Sequence, residues 1–560
     1  MKTVGQKHWW HNLPAISSLF RFDYYLIMVG LVALLVALPI FTLIIVALGG
    51  NLDSIKHIAT TILPNATLTT ILLLIGIAIL TGIIGSLSAW LVSFFDFPFR
   101  KIFAWALVLP LAVPTYISAY AFVEFLSFTG PIQSLLRESF GFSSPRDYYF
   151  PEIRSLGGAI FILSLVLYPY VYLLVRALFY LQGRRAIEAG QVLGASQQKI
   201  LTKILLPLAR PALALGIILV MMEAINDIGA MEYLGVKTLT LSIFSIWINQ
   251  GDFAGAAQIA LVLLFIVLLL IIIERLARRG QKYSEVGKSS CAGPFSMQRL
   301  YGLKGWGAFI ICLFPVALGF GVPMSVLGFF ALRSLKTGFD PSLLGATLTS
   351  ISLASLAAII TVIIAIMLSY ALRIKQGKLI KFLVRLASIG YAIPGTIIAL
   401  GIFIPLARFD NFIDFYMRSW FGFSTGLLIS GSAIILIYAY CVRFMAIAEG
   451  TISSGFEKIS PNLDKAAYLY GKGKFATFTK ILLPLMRPAI LAAGLLVFID
   501  TLKELSATLM LRPFGIETLS IYIHDLASRG RIEQASVASL IIMIVGIIPV
   551  ILLTREMRAK

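Results

Sequence analysis

The sequence predicts an all-α membrane protein of about twelve transmembrane helices arranged as two homologous six-helix halves. Three observations predict it. The 560 residues are 59% hydrophobic and only 13% charged, leaving too few polar side chains to clothe a water-soluble protein of this size. Apolar runs near the roughly 20 residues needed to cross a bilayer recur along the chain. The polar stretches between them repeat at a fixed distance.

In the first half the runs cover 25–48, 66–94, 102–125, 156–180, 212–231 and 254–273; in the second, 307–330, 345–372, 382–407, 426–447, 489–510 and 535–553. The first run is longer than a signal-peptide core and lacks a small-residue cleavage site, so it is expected to stay as a membrane anchor. This divides the chain into a first permease half (1–273), a linker (274–306) and a second half (307–560). The linker contains Gly287-Lys288-Ser289, the tail of a phosphate-binding loop, but Lys282 stands where that loop needs glycine and no buried strand precedes it. It reads as linker composition, and no nucleotide site is visible.

The net charge of +20 raises the question of nucleic acid, and its distribution answers it. With both termini placed in the cytoplasm and the spans alternating, most Lys and Arg fall in cytoplasmic loops such as 184–185, 275–304, 373–385 and 555–560. Most acidic residues fall outside. That asymmetry orients a membrane protein and excludes a nucleic-acid partner. Cys291, Cys312 and Cys441 form no disulfide framework or metal-ligand spacing, and the four histidines form no catalytic constellation. No enzyme is expected in this chain.

The most informative repeat is polar. EAGQVLGASQQKILTKILLPLARP at 188–211 aligns without a gap to KAAYLYGKGKFATFTKILLPLMRP at 465–488, pairing Gly194 with Gly471, Ile204 with Ile481, Pro207 with Pro484 and Arg210 with Arg487, always 277 apart. Each copy reads as a short helix, a glycine that ends it, a second amphipathic helix, and a proline-marked entry into the next span, with Pro211 and Pro488 expected at the start of that span. The repeat continues elsewhere: Ala66-Thr67-Leu68-Thr69 matches Ala346-Thr347-Leu348-Thr349, and Pro114 matches Pro394, both at 280. Six spans per half keep the halves parallel, so a pseudo-two-fold axis runs along the membrane normal with a path between them.

The pattern Glu-Ala-Ala, three residues, Gly, nine residues, Ile, one residue, Leu-Pro resembles the coupling-loop signature of ABC importer membrane subunits, which docks into a cleft of the partner ATPase. The resemblance assigns the coupling loops to 182–211 and 448–488. It marks Glu188, Ala189, Gly194, Ile204 and Pro207 in the first, and Ala466, Ala467, Gly471, Ile481 and Pro484 in the second. Gly190 replaces the second alanine, and Lys465 stands where glutamate is expected, with Asp464 just before it.

Ionisable groups inside a bilayer are functional candidates. Glu223 aligns with Asp500 and Asp227 with Glu504, again at 277. In each span the two carboxylates are four apart and share a helix face, so the faces can converge across the axis as a candidate translocation path. Lys503 is near enough in sequence to neutralise one of them. Hard oxygen ligands suit a hard metal ion, although a permease that is handed its cargo need not bind it tightly.

DTLKELSATLMLRPFGIETL at 500–519, INDIGAMEYLGVKTLT at 225–240 and LPLAVPTYISAYAF at 109–122 resemble the fused permeases of bacterial ferric-iron ABC importers, over essentially the whole chain. The resemblance implies a type I importer permease fold in the cytoplasmic (inner) membrane. It implies as partners two copies of an ABC ATPase on the cytoplasmic side and a periplasmic or lipid-anchored substrate-binding protein. ATP and Mg would belong to the ATPase, with no cofactor in this chain. Fused permeases for thiamine or 2-aminoethylphosphonate share the architecture, and an ion-coupled secondary transporter would explain the spans though not the two docking signatures.

Overall fold

A bilayer supplies no water to satisfy backbone polar groups, so apolar runs of this length are driven to close their hydrogen bonds internally, as helices. The computed structural model describes residues 24–50, 52–180, 190, 192–278, 298–338, 340–375 and 377–558. Glu188 and Ala189 lie outside the described residues, as do most of the linker and its Gly287-Lys288-Ser289. Among the described residues, ten helices are long and apolar enough to cross a membrane, and two bent pairs bring the total to twelve.

The continuous spans are Tyr24–Leu48, Leu63–Phe94, Leu156–Leu178, Thr202–Asn226, Phe253–Leu276, Leu303–Lys336, Pro341–Ile374, Gly395–Phe421, Ala433–Glu457 and Ile532–Ile551. The bent pairs are Arg100–Ala112 with Thr115–Phe140, at 95°, and Lys474–Leu485 with Arg487–Lys503, at 69°. The only sheet among the described residues joins Phe95–Asp96 to Gln298–Arg299 in parallel. It ties the end of the linker to the end of the second span.

The predicted spans at 102–125 and 382–407 are each broken, and proline is the reason. A residue before proline is pushed out of the α region: Val113 sits at φ −94°, ψ 117° before Pro114 and Ile393 at φ −88°, ψ 125° before Pro394. A new helix starts directly after each proline, at Thr115 and Gly395. The predicted spans at 212–231 and 489–510 also end early, at Asn226 and Lys503. Asp227 and Glu504 then turn extended, and short helices Gly229–Tyr233 and Ser506–Leu511 follow. Pro488 enters its helix in the first turn, as expected, but Pro211 lies inside Leu206–Asn226.

The halves are intertwined. Tyr24–Leu48, first in sequence, packs on Gly395–Phe421 and on Lys378–Ala387 of the second half, while the seventh span reaches Thr115–Leu126 of the first. At the first crossing a β-carbon on Gly401 would lie 2.2 Å from the Pro39 carbonyl oxygen, so glycine is what lets these backbones touch. Tyr438 donates to the Leu35 carbonyl at 2.6 Å, fastening the same helix to the tenth span.

Candidate functional site

Over the described residues, the two copies of the polar repeat follow the same course from the glycine onward. In the second, helix Asn462–Leu469 ends at Gly471, whose φ is +72°. Gly471 donates to the Tyr468 carbonyl at 3.0 Å and Lys472 to that of Ala467 at 3.0 Å, the paired bonds of a glycine-terminated helix. In the first copy Gly194 also has φ +72°, and Ala195 donates to the Gly190 carbonyl at 2.9 Å, the bond equivalent to that of Lys472. A short helix follows each glycine, and then a π-helical turn, Leu201–Leu205 or Phe478–Leu482. These turns carry Ile204 and Ile481. Pro207 and Pro484 come next, and the wider turn accommodates rings that can neither donate nor fit the regular ladder.

Gly190 replaces alanine without loss of packing. A β-carbon there would lie 3.1 Å from Ile200 and 3.1 Å from Ile204. Position 200 matches Thr477, so the larger isoleucine fills room that the buried Ala467 occupies in the other copy. At the tips, Val192 and Leu193 are 87% and 85% exposed, and their counterparts Leu469 and Tyr470 are 88% and 86% exposed. Matched apolar tips left bare in both halves are the mark of a contact surface. Ala466 and Lys465 stand exposed beside them.

The second element is braced by a residue that sequence reasoning missed. Arg373, near the end of Pro341–Ile374, donates to Asp464 Oδ2 from Nε at 2.9 Å and from Nη2 at 2.6 Å. It also donates to the carbonyls of Phe456, Ile459 and Ser460 at 3.0–3.2 Å. An arginine at the end of an apolar run was the available signal, but it reads equally as orientation charge.

The four candidate path residues Glu223, Asp227, Asp500 and Glu504 all line one cavity of about 150 Å³ between the halves, together with Asn226, Lys503, Arg443, Tyr116, Tyr170 and Tyr391. Their settings differ. Asp227 Oδ1 accepts from the Ala230 amide at 2.9 Å; Glu504 accepts from the Ala507 and Thr508 amides at 2.8 and 2.9 Å and from the Thr508 hydroxyl at 2.6 Å. These two carboxylates cap the short helices that follow the breaks. Glu223 and Asp500, one turn earlier, face the cavity without that duty. Glu223 accepts a hydrogen bond from the Tyr391 hydroxyl of the other half.

Lys503 does not pair with Glu504. Arg443 does, at 3.2 Å, with the two side chains 11% and 1% exposed. Lys503 Nζ instead donates to the Leu111 carbonyl at 3.1 Å. Its repeat partner Asn226 makes the reciprocal reach, accepting from the Gly395 amide at 3.0 Å, and its carbonyl accepts from the Ser506 hydroxyl. The break in each half is therefore clasped to the proline-marked turn of the other. Arg443, inside an apolar run, was legible as an ionisable intramembrane residue; Asn226 and Tyr391 carried no signal apart from their places in the repeat. Among the described residues, no three His, Cys, Asp or Glu side chains gather as a metal site.

The negative residues expected to face outward are largely occupied. Asp410 is fully buried and accepts from the Ile429 and Ser430 amides and the Ser430 hydroxyl at 2.6–3.1 Å. Asp414 accepts from Ser424, Thr425 and Gly426, and Asp147 from Ser143 and Ser144. These carboxylates fold their own loops.

Comparison with known proteins bears on the same architecture. The Fe(3+)-transport system permease protein FbpB 2 of Haemophilus influenzae is 26% identical over 489 residues, 87% of this chain and 88% of the relative. The ferric transport system permease protein FbpB of Actinobacillus pleuropneumoniae is 23% identical over 80% of this chain and 64% of its own length. The putative 2-aminoethylphosphonate transport system permease protein PhnV of Salmonella typhimurium is 27% identical over 232 residues, 41% of this chain and 80% of the relative. One family description matches twice, over residues 81–282 and 361–556, once in each half. With twelve candidate spans and this double match, the chain is a multi-pass inner-membrane transport permease and belongs to the family of binding-protein-dependent transport system inner membrane components.

Proposed function

We propose that this chain is the membrane-spanning permease subunit of an ATP-driven importer that carries ferric iron, delivered by a periplasmic or lipid-anchored binding protein, across the cytoplasmic membrane. Residues 1–273 and 307–560 are the two permease halves, joined by a linker at 274–306, with both termini in the cytoplasm. Two ATPase subunits, carrying ATP and Mg, dock beneath the polar repeats. Glu188, Ala189, Gly194, Ile204 and Pro207 form one coupling element and Ala466, Ala467, Gly471, Ile481 and Pro484 the other. The matched Gly194 and Gly471 turns and their bare apolar tips support this assignment.

Transport is a population shift between two arrangements of the halves. Closure of the nucleotide-bound ATPases draws the coupling elements together, and the spans that carry them rock about the central clasp. The chain performs no chemistry on its cargo.

The observation that carries the cargo reading is the lining of the central cavity. Glu223, Asp227, Asp500 and Glu504 outnumber Arg443 and Lys503, so the acidic lining favours a cation over the phosphonate anion, and its hard oxygen donors suit Fe(III). A thiamine importer is the remaining cationic reading. Uptake of radiolabelled ferric ion and of labelled thiamine in cells lacking the gene separates them. Loss of iron uptake alone, restored by the intact gene, is the expected result; loss of thiamine uptake with iron uptake intact would discard the cargo and keep the architecture.

A further inference from the structure

Three tyrosines line the central cavity beside its carboxylates. Tyr170 comes from Leu156–Leu178, Tyr391 from the turn Gly390–Ala392, and Tyr116 from Thr115–Leu126. The Tyr391 hydroxyl donates to Glu223 across the interface between halves. Tyr170 lines the same cavity as Tyr391, Glu223 and Asp500. The Tyr116 hydroxyl, also on this cavity, has no hydrogen-bond partner among the described residues. Tyr116 is only 3% exposed. A buried hydroxyl left unpaired costs free energy, which marks this cavity as a place that a polar ligand can enter.

Building on the ferric reading, we propose that Tyr170, Tyr391, Glu223 and Asp500 form a transit site that binds Fe(III) through phenolate and carboxylate oxygens. Phenolate is a hard oxygen donor, matched to a small trivalent ion. On binding, Tyr391 releases its proton along the existing hydrogen bond through Glu223 to solvent, so that Glu223 stays a carboxylate and the phenolate oxygen donates a lone pair to the iron. Tyr170 releases its proton to solvent, leaving Asp500 a carboxylate. No electron is transferred and the iron stays ferric; when it leaves, the protons return and the Tyr391–Glu223 hydrogen bond reforms. Lys503 and Arg443 on the same cavity repel the ion, which keeps the site a passage rather than a store.

The test uses the full-length chain in lipid nanodiscs, titrated with ferric nitrilotriacetate, reading the visible phenolate-to-iron charge-transfer absorption. A saturable band is expected in the wild type. It should be lost in Tyr391→Phe, weakened in Tyr170→Phe and kept in Tyr168→Phe, which removes a buried phenol that does not line the cavity. Glu223→Gln removes a carboxylate ligand and the proton relay from Tyr391 and should shift band formation to higher pH. That variant keeps the proposal testable if Tyr391→Phe does not insert. A wild type without the band, or a band that survives both cavity phenylalanine substitutions, overturns the site. If cells still show gene-dependent ferric uptake in that case, the failure is of the site alone; absence of gene-dependent ferric uptake overturns the cargo reading as well.

Discussion

Replacing Arg373 with methionine should loosen the second coupling element selectively. The guanidinium makes two bonds to Asp464 and three to main-chain carbonyls, and the two charged side chains are 13% and 22% exposed. Hydrogen bonds to a charged partner contribute about 1.5–3 kcal/mol each, and breaking a well-buried pair costs about 3–5 kcal/mol in all. Partial exposure places the net loss near the lower figure. A local opening free energy reduced by about 3 kcal/mol accelerates amide exchange roughly 150-fold, since each 1.4 kcal/mol is a factor of ten. The reporters are the amides of Tyr470, Gly471 and Lys472, which close the helix end. Hydrogen exchange read by mass spectrometry over 462–472 is the assay, with Arg373→Lys expected to recover part of the protection. Unchanged protection in Arg373→Met would refute the brace. So would acceleration spread evenly over the whole second half, because the argument requires a local effect.

Three further outcomes follow from the same geometry. Gly194→Val and Gly471→Val meet no neighbour within 4 Å but force a β-branched residue to φ +72°, a strain of about 1–3 kcal/mol; each should uncouple ATP hydrolysis from uptake while leaving membrane insertion intact, and normal uptake by both would sink the coupling assignment. Asp410→Ala strips the Ile429 and Ser430 donors of a fully buried acceptor, which should cost about 3 kcal/mol and lower the thermal midpoint in detergent; an unchanged midpoint would contradict this. His524, on Leu519–Ser528 between spans, meets Glu232 of the other half at 2.9 Å and Asp525 at 3.6 Å. Burial alone would lower its pKa, but the nearby Asp525 carboxylate and the hydrogen bond to Glu232 outweigh that and raise it to about 9. A raised folded-state pKa stabilises fully below the ordinary value of 6.5 and is lost as pH climbs through about 9. The difference in melting temperature between wild type and His524→Gln should therefore be largest below pH 6.5 and fade above about pH 9; a pH-independent difference would refute the pairing.

Much of the fold was legible because its signals are local and repeated. Apolar length marks a span in lipid without reference to any neighbour, and the shared distance of 277 identified both polar elements before either was seen folded. The paired acids were legible for the same reason, as charges inside apolar runs. Less visible were the interruptions. Pro114 and Pro394 were read as repeat markers, yet both break a span, and the early ends at Asn226 and Lys503 carried no helix-breaking residue at all.

The sequence by itself determined the apolar segments, the two-fold repeat and the two matched polar elements, because each depends on composition and spacing along one chain. Only the tertiary structure decided that Arg443, and not Lys503, neutralises Glu504, and that Asn226 and Lys503 clasp opposite turns. It also decided that Asp227 and Glu504 cap helices while Glu223 and Asp500 face the cavity, and that the first span of each half packs against the other. Those outcomes depend on which groups meet across an interface between residues hundreds of positions apart. A buried charge takes the partner that geometry brings to it, and nearness in sequence does not choose that partner.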